Sequence, residues 1–298
     1  MTDAIQPEEA ADEVRKAVER SQAELPAVAD LLESFKELLA EQAKLKAELL
    51  IKMDAASFVV DTERITQGVP IAGVAGLAVP GDILKLSALR LRPAMMVGFP
   101  KPADQLKRIE AAVTEDRIDV EAVAAAALSV NEHDIDVIAA QISVDADVLR
   151  FALGQMLRPA VAARSDLFAH ALEGRHPAVG YCPICGSWPS LSIIKGDEGK
   201  RYLKCSFCAH EWGYSRAACP FCENEDQDKI EFIYSEQRSF EHIQICRVCR
   251  RYVLGIDLRE RIHQEVLEVT SLRLAYLDIL AQEQGFSSGA ATESDSAS

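Results

Sequence analysis

The sequence predicts an α + small β protein: a mainly helical N-terminal domain, then two tandem rubredoxin- or zinc-ribbon-like metal-binding modules, then a C-terminal helix. Three observations carry this. Apolar residues recur at helical spacing through most of the first 180 residues. All eight cysteines fall between Cys182 and Cys249, as four C-x-x-C pairs. Short stretches rich in β-branched and aromatic residues flank those pairs. The boundaries that follow are 1–178 for the helical domain, 179–217 and 218–258 for the two ribbons, 259–285 for the C-terminal helix, and 286–298 for a small, polar tail expected to be disordered. A chain of 298 residues, 49% hydrophobic, can build such a body and is not globally disordered.

Taken in order, residues 7–24 and 26–55 read as two amphipathic helices, the second with Val28, Leu32, Phe35, Leu39, Leu45 and Leu49 on one face. Such helices could also pair between chains, as in a homodimer. Residues 66–102 carry Pro70, Pro80, Pro93, Pro100 and Pro102 with five glycines, a composition expected to interrupt any long element. Helical spacing returns at 103–114, 119–130, 132–142 and 145–173, where Asp145 is a suitable N-cap and Pro159 is expected to kink or split the helix. Strand composition appears at 191–195, 199–204, 231–235 and 242–245, and the C-terminal helix carries Ile262, Val266, Val269, Leu272, Leu274, Leu277 and Leu280.

Charge is segregated. The net charge of −15 divides into −10 for residues 1–179, zero for 180–255 and −5 for 256–298. A surface so acidic repels a phosphate backbone, which argues against nucleic acid as partner. The N-terminus has no basic and apolar leader, and the apolar window from Ile65 to Gly81 is short and broken by Gly and Pro. No membrane association and a cytoplasmic location are the expectations.

In a reducing compartment, paired C-x-x-C spacing points to metal rather than disulfides. One such turn sets two thiolates beside a shared centre, and two turns complete a tetrahedral four-sulfur site of the kind zinc and single-iron rubredoxin centres prefer. Four pairs within 68 residues therefore predict two metal ions per chain, iron or zinc. The ligands are Cys182, Cys185, Cys205 and Cys208 for one site and Cys219, Cys222, Cys246 and Cys249 for the other. The tandem pairing is favoured over cross-bracing, because the 19 and 23 residues between paired knuckles each hold strand-like segments and a turn, Gly196–Gly199 in the first. Only the first knuckle is followed by glycine, Gly186; Ala209, Glu223 and Arg250 follow the others, which predicts strain there. His210 and His242 are alternative ligands by proximity, but eight cysteines already fill two sites. Such filled sites leave no open position for a substrate water, and no nucleophile, phosphate-loop or dinucleotide motif occurs, so no catalytic residue is assigned.

The segment from Tyr181 to Cys222 and the run from Ile245 to Arg259 resemble the FdhE formate dehydrogenase accessory proteins. The specific parts are Cys182-Pro183-x-Cys185-Gly186-Ser187 with Pro189, Arg201-Tyr202-Leu203-x-Cys205-Ser206-x-Cys208, Glu211-Trp212, and the later cysteine pairs leading into Tyr252. The resemblance implies a cytoplasmic, non-catalytic protein required for active respiratory formate dehydrogenase. It further implies rubredoxin-like iron binding by all eight cysteines and contact with the enzyme's catalytic subunit. Two other classes are compatible with the cysteines. One is a zinc-ribbon nucleic-acid binder, using Arg247, Arg250, Arg251 and Tyr252, with Lys200, Arg201 and Lys204. The other is a thiol–disulfide oxidoreductase, from which the glycine-rich repeat of metal-bearing redox chaperones is missing.

Overall fold

The computed structural model describes residues 5–52, 63, 67–129, 132–172, 178–235 and 237–289. The chain divides into two compact units, Met1–Phe58 with Val74–Leu167, and Val59–Gly73 with Phe168–Ser298.

The first unit is helical. α1 (Pro7–Glu24) and α2 (Ala29–Lys52) form an antiparallel hairpin, with Glu8 paired to Lys44, Arg15 to Glu37 and Glu19 to Lys36 along its length. Val14, Val18, Leu32, Leu38, Leu39 and Leu45 are buried. The apolar faces expected to offer a pairing surface between chains thus meet within one chain. Phe35 joins Phe99 and Phe151 in an edge-to-face cluster.

The Pro/Gly-rich stretch corrects the sequence reading. It contains an 18-residue helix, α3 (Gly81–Gly98), which runs through Pro93. A helix-interior proline costs about 3 kcal/mol. Burial of Leu84, Ala88, Leu91, Ala94 and Met95 on one face outweighs that, at roughly 1.5–3 kcal/mol for each large side chain. α4 (Ala103–Thr114), α5 (Val120–Ser129), α6 (Glu132–Gln141) and α7 (Ala146–Ala169) follow close to the predicted bounds. α7 also continues through its proline, Pro159, rather than splitting. Among the described residues no helix is long and apolar enough to cross a membrane.

The second unit is built on one sheet. β1 (Pro189–Lys195), β2 (Lys200–Cys205) and β3 (Glu211–Gly213) form the first ribbon; β4 (Ile230–Tyr234), β5 (Glu241–Cys246) and β6 (Arg251–Asp257) form the second. Each ribbon repeats one plan: knuckle, two antiparallel strands, knuckle, third strand. β1 and β2 are joined by the predicted turn, where Gly196 and Gly199 both take positive φ. The ribbons are not separate modules. β1 pairs in parallel with β6, Leu191 opposite Leu254 and Ile193 opposite Ile256, giving the order β3-β2-β1-β6-β5-β4. The strands over 211–213 and 251–257 lie outside the segments with strand composition.

Side chains alternate between the two faces of the sheet. Leu191, Ile193, Ile243, Ile245, Tyr252 and Ile256 face the C-terminal helices and bury against Leu274, Leu277, Ala281 and Phe286. The expected helix over 259–285 starts later and in two pieces, α8 (Leu267–Arg273) and α9 (Ala275–Glu283). Residues Leu258–Glu260 form instead a single 3₁₀ turn, capped by the Asp257 carboxylate, which accepts from the Arg259 N–H. α8 is anchored by a buried charge network. Arg273 pairs with Glu241 at 2.8 Å and Glu265 at 3.1 Å, and Tyr276 donates to Glu241 at 2.7 Å. The tail expected to be disordered from 286 begins with ordered residues: Phe286 is buried and β7 (Ser287–Ser288) pairs with β6. Residues 290–298 lie outside the described residues.

Candidate metal centre

The four knuckles share one local geometry. In three of them the residue after the second cysteine donates its N–H to the first cysteine's carbonyl: Gly186 to Cys182 at 2.9 Å, Glu223 to Cys219 at 3.0 Å and Arg250 to Cys246 at 2.9 Å. That residue is left-handed in all four, with φ of 90° at Gly186, 61° at Ala209, 59° at Glu223 and 58° at Arg250. The strain anticipated where glycine is missing is therefore present in the backbone, and for non-glycine residues it costs about 1–3 kcal/mol each. The turn also aims N–H groups at sulfur: those of Phe207 and Cys208 both lie 3.4 Å from the Cys205 Sγ.

The structure brings the eight cysteines together in the tandem arrangement. Cys182, Cys185, Cys205 and Cys208 form one set, Cys219, Cys222, Cys246 and Cys249 the other, with all four sulfurs of each set within 4.8 Å of one another. No disulfide joins them. The closest sulfurs are 3.6 Å apart for Cys182–Cys208, 3.5 Å for Cys185–Cys205, 3.8 Å for Cys219–Cys249 and 3.6 Å for Cys222–Cys246. A tetrahedron with metal–sulfur bonds of about 2.3 Å has edges of about 3.8 Å. The donor sets therefore fit a tetrahedral thiolate metal in both number and spacing.

Titration within each set is divided. Burial and neighbouring thiols push Cys182 well up, whereas thiol hydrogen bonds from Cys182, Cys205 and Cys208 hold Cys185 far down. In the second set the Cys249 thiol raises Cys219, and the hydrogen bond from Cys219 holds Cys249 down at about 5. Each set thus contains one sulfur ready to ionise and another that keeps its proton until a cation offsets the clustered charge. The sets differ in access. All four cysteines of the first are buried, whereas Cys222 is exposed and Cys249 half-buried.

The two sets are tied together. Tyr181, Trp188 and Phe221 form an edge-to-face ladder from the first knuckle to the third. Gly180 passes so near Pro220 that a Cβ would lie 1.8 Å from the Pro220 carbonyl oxygen, so only glycine fits there. The segment before Gly73 straps onto the first knuckle: the N–H of Ile71 donates to Pro183 and those of Ala72 and Gly73 to Ile184, each at 3.0 Å. His210 and His242 stand outside both sulfur sets. His210 stacks on Trp212, and His242 lies between Phe232 and Tyr234.

The basic residues that would favour a nucleic acid are largely engaged within the fold. Arg247 is held by Glu231, Arg250 by the Gly285 carbonyl and the Phe286 ring, Lys200 by Glu198 and Lys204 by Glu268. Arg201 and Tyr252 are buried.

The family model for the FdhE central domain matches residues 181–216, the whole of the first sulfur set and its ribbon. The likeness to FdhE proteins holds. An FdhE homolog from Aquifex aeolicus is 37% identical over 145 residues, 47% of this chain and 50% of that protein. One from Haemophilus influenzae (strain PittGG) is 32% identical over 108 residues, 36% of this chain and 35% of that protein. The chain spans about half the length, or less, of these curated relatives. The crystal structure of the FdhE protein from Pseudomonas aeruginosa shares the fold, with a TM-score of 0.57 at 24% identity over 95% of this chain and 94% of that one.

Proposed function

We propose that this chain is an FdhE-type accessory protein for formate dehydrogenase. In this reading the eight cysteines bind two metal ions, iron or zinc, and so staple the sheet into a rigid platform for the enzyme's catalytic subunit. The observation that carries the metal part is the pair of four-sulfur sets with tetrahedral spacing. The formate dehydrogenase part rests on the FdhE likeness. When bound, the ions supply the cross-links and offset the thiolate charge that each small ribbon needs to hold its shape. The chain's own residues do the rest. Left-handed turns present the sulfurs, Gly180 and the aromatic ladder fix one site against the other, and Glu241 and Arg273 seat α8 against the sheet. The role is binding rather than catalysis, in the cytoplasm, before the enzyme is complete.

The test is co-purification of a formate dehydrogenase catalytic subunit with the tagged chain, alongside elemental analysis. Two metal equivalents per chain are expected, with loss of one equivalent and of the co-purified subunit on Cys182→Ser with Cys205→Ser. A variant that folds without metal and still captures the subunit would overturn the stapled-platform reading.

A further inference from the structure

The sheet face turned away from the C-terminal helices carries a polar pocket that neither metal centre uses. It is a cavity of about 350 Å³ lined by Ser192, Arg201, Arg216, His242, Asp257 and Arg259. Arg201 is the centre of it. Its side chain is 4% exposed; Nε donates to the Ser192 hydroxyl at 2.9 Å, and Nη1 to the carbonyls of Ser215 and Ala218 at 2.9 and 3.0 Å. Its remaining nitrogen, Nη2, is buried with no hydrogen-bond partner, and so is Nδ1 of His242. A buried, unsatisfied guanidinium nitrogen is costly, and a ligand oxygen relieves that cost.

Arg216 and Arg259 line the same pocket, and their guanidinium groups approach each other beside Gly199. Nη1 of Arg259 and Nη1 of Arg216 lie 2.8 and 3.0 Å from the point where a Cβ on Gly199 would stand. Asp257 is the one acidic lining residue, and it is already taken by Arg259, through Nε at 3.0 Å and Nη2 at 2.6 Å. Arg201 and Arg216 have no carboxylate partner among the described residues. The pocket therefore holds excess positive charge inside a chain whose net charge is −15. Phe232 and Tyr234, 40% and 56% exposed, form an aromatic wall on its rim.

We infer that this pocket binds a phosphate group, either free or carried on a small molecule, with Arg201 and Arg216 as its principal donors. Neighbouring guanidinium groups match a tetrahedral oxyanion, and the burial of Arg201 strengthens charge-assisted hydrogen bonds. Burial already lowers the Arg201 pKa to about 10 and the His242 pKa to about 4, in line with positive charge lacking a counter-ion. The inference is independent of the metal and client assignments: it uses neither sulfur set.

Calorimetric titration of the full-length, metal-loaded chain with inorganic phosphate and with adenosine monophosphate tests it, at constant ionic strength. Saturable binding of at least one is expected. Arg216→Gln should weaken it about tenfold or more, while Arg247→Gln on the outer edge leaves it unchanged. Equal affinities assign the site to the phosphate alone. Tighter nucleotide binding that Phe232→Ala removes assigns it to a phosphate carried on a ring. No saturable binding of either probe, or binding indifferent to Arg216→Gln, overturns the inference. Because Arg216 makes a single side-chain hydrogen bond among the described residues, to the Gly199 carbonyl, its loss leaves the fold testable by circular dichroism.

Discussion

At the scale of single residues, the knuckles show how a sequence tolerates strain where two thiols must face one centre. Ala209, Glu223 and Arg250 hold the left-handed conformation that Gly186 takes without cost. Ala209→Gly is expected to stabilise the metal-loaded protein by about 0.5–1 kcal/mol, relief of backbone strain exceeding the added freedom of the unfolded chain. Urea denaturation would read this as a higher midpoint at unchanged slope. His242 illustrates a second residue-scale effect. Burial first, and then the charges of Arg201 and Arg216, lower its pKa from 6.5 to about 4, with Asp257 opposing. The unfolded chain therefore binds a proton that the folded chain refuses between those pH values. The resulting stability is full above pH 6.5 and is lost as pH falls towards 4, by about 3 kcal/mol. His242→Asn should flatten that part of the stability profile relative to the parent, which chemical denaturation at pH 7 and pH 5 would measure.

At the scale of elements, local composition and tertiary demand disagree in instructive places. Proline and glycine content made residues 66–102 look irregular, yet α3 spans Gly81–Gly98 because five buried apolar positions recur on one face. The strand over 251–257 went unread because its alternation includes Gly255 and ends in Asp257. Gly255 lies under the His242 ring, where a Cβ would be 2.2 Å from Nε2. α8 is docked through charge as well as through apolar contact. Arg273 is 1% exposed and shared between Glu241 and Glu265, so Arg273→Met removes the cation that bridges two buried carboxylates, leaving Glu241 to Arg238 and Glu265 to Arg261. A loss of about 1.5–3 kcal/mol is expected. Thermal unfolding followed by circular dichroism would show it, and Glu241→Ala should cost a similar amount.

At the scale of the whole molecule, the parallel pairing of β1 with β6 turns two ribbons into one sheet and so couples two sulfur sets that differ in exposure. With Cys222 exposed and the first set buried, a chelator is expected to remove metal from the Cys219–Cys249 set first. Stopped-flow release into a colorimetric chelator should show two phases, the faster one absent in Cys222→Ser. A single phase would mean that the sheet opens as one unit.

The cysteine sets were legible because C-x-x-C spacing is a local signal, and the helices because a 3.6-residue period is one too. Those signals indicated the helical body and two four-sulfur sites and favoured their tandem partition, which the sulfur positions then decided. The β1–β6 pairing brings together residues some sixty positions apart, a distance at which no periodicity speaks. Only the tertiary structure decided that pairing and its consequence: Ser192 and Arg201 of one ribbon face His242 and Asp257 of the other. Whether an arginine is a solvated surface charge or a buried donor without a partner depends on what the rest of the chain lays over it. That is a property of packing, which residue order alone does not carry.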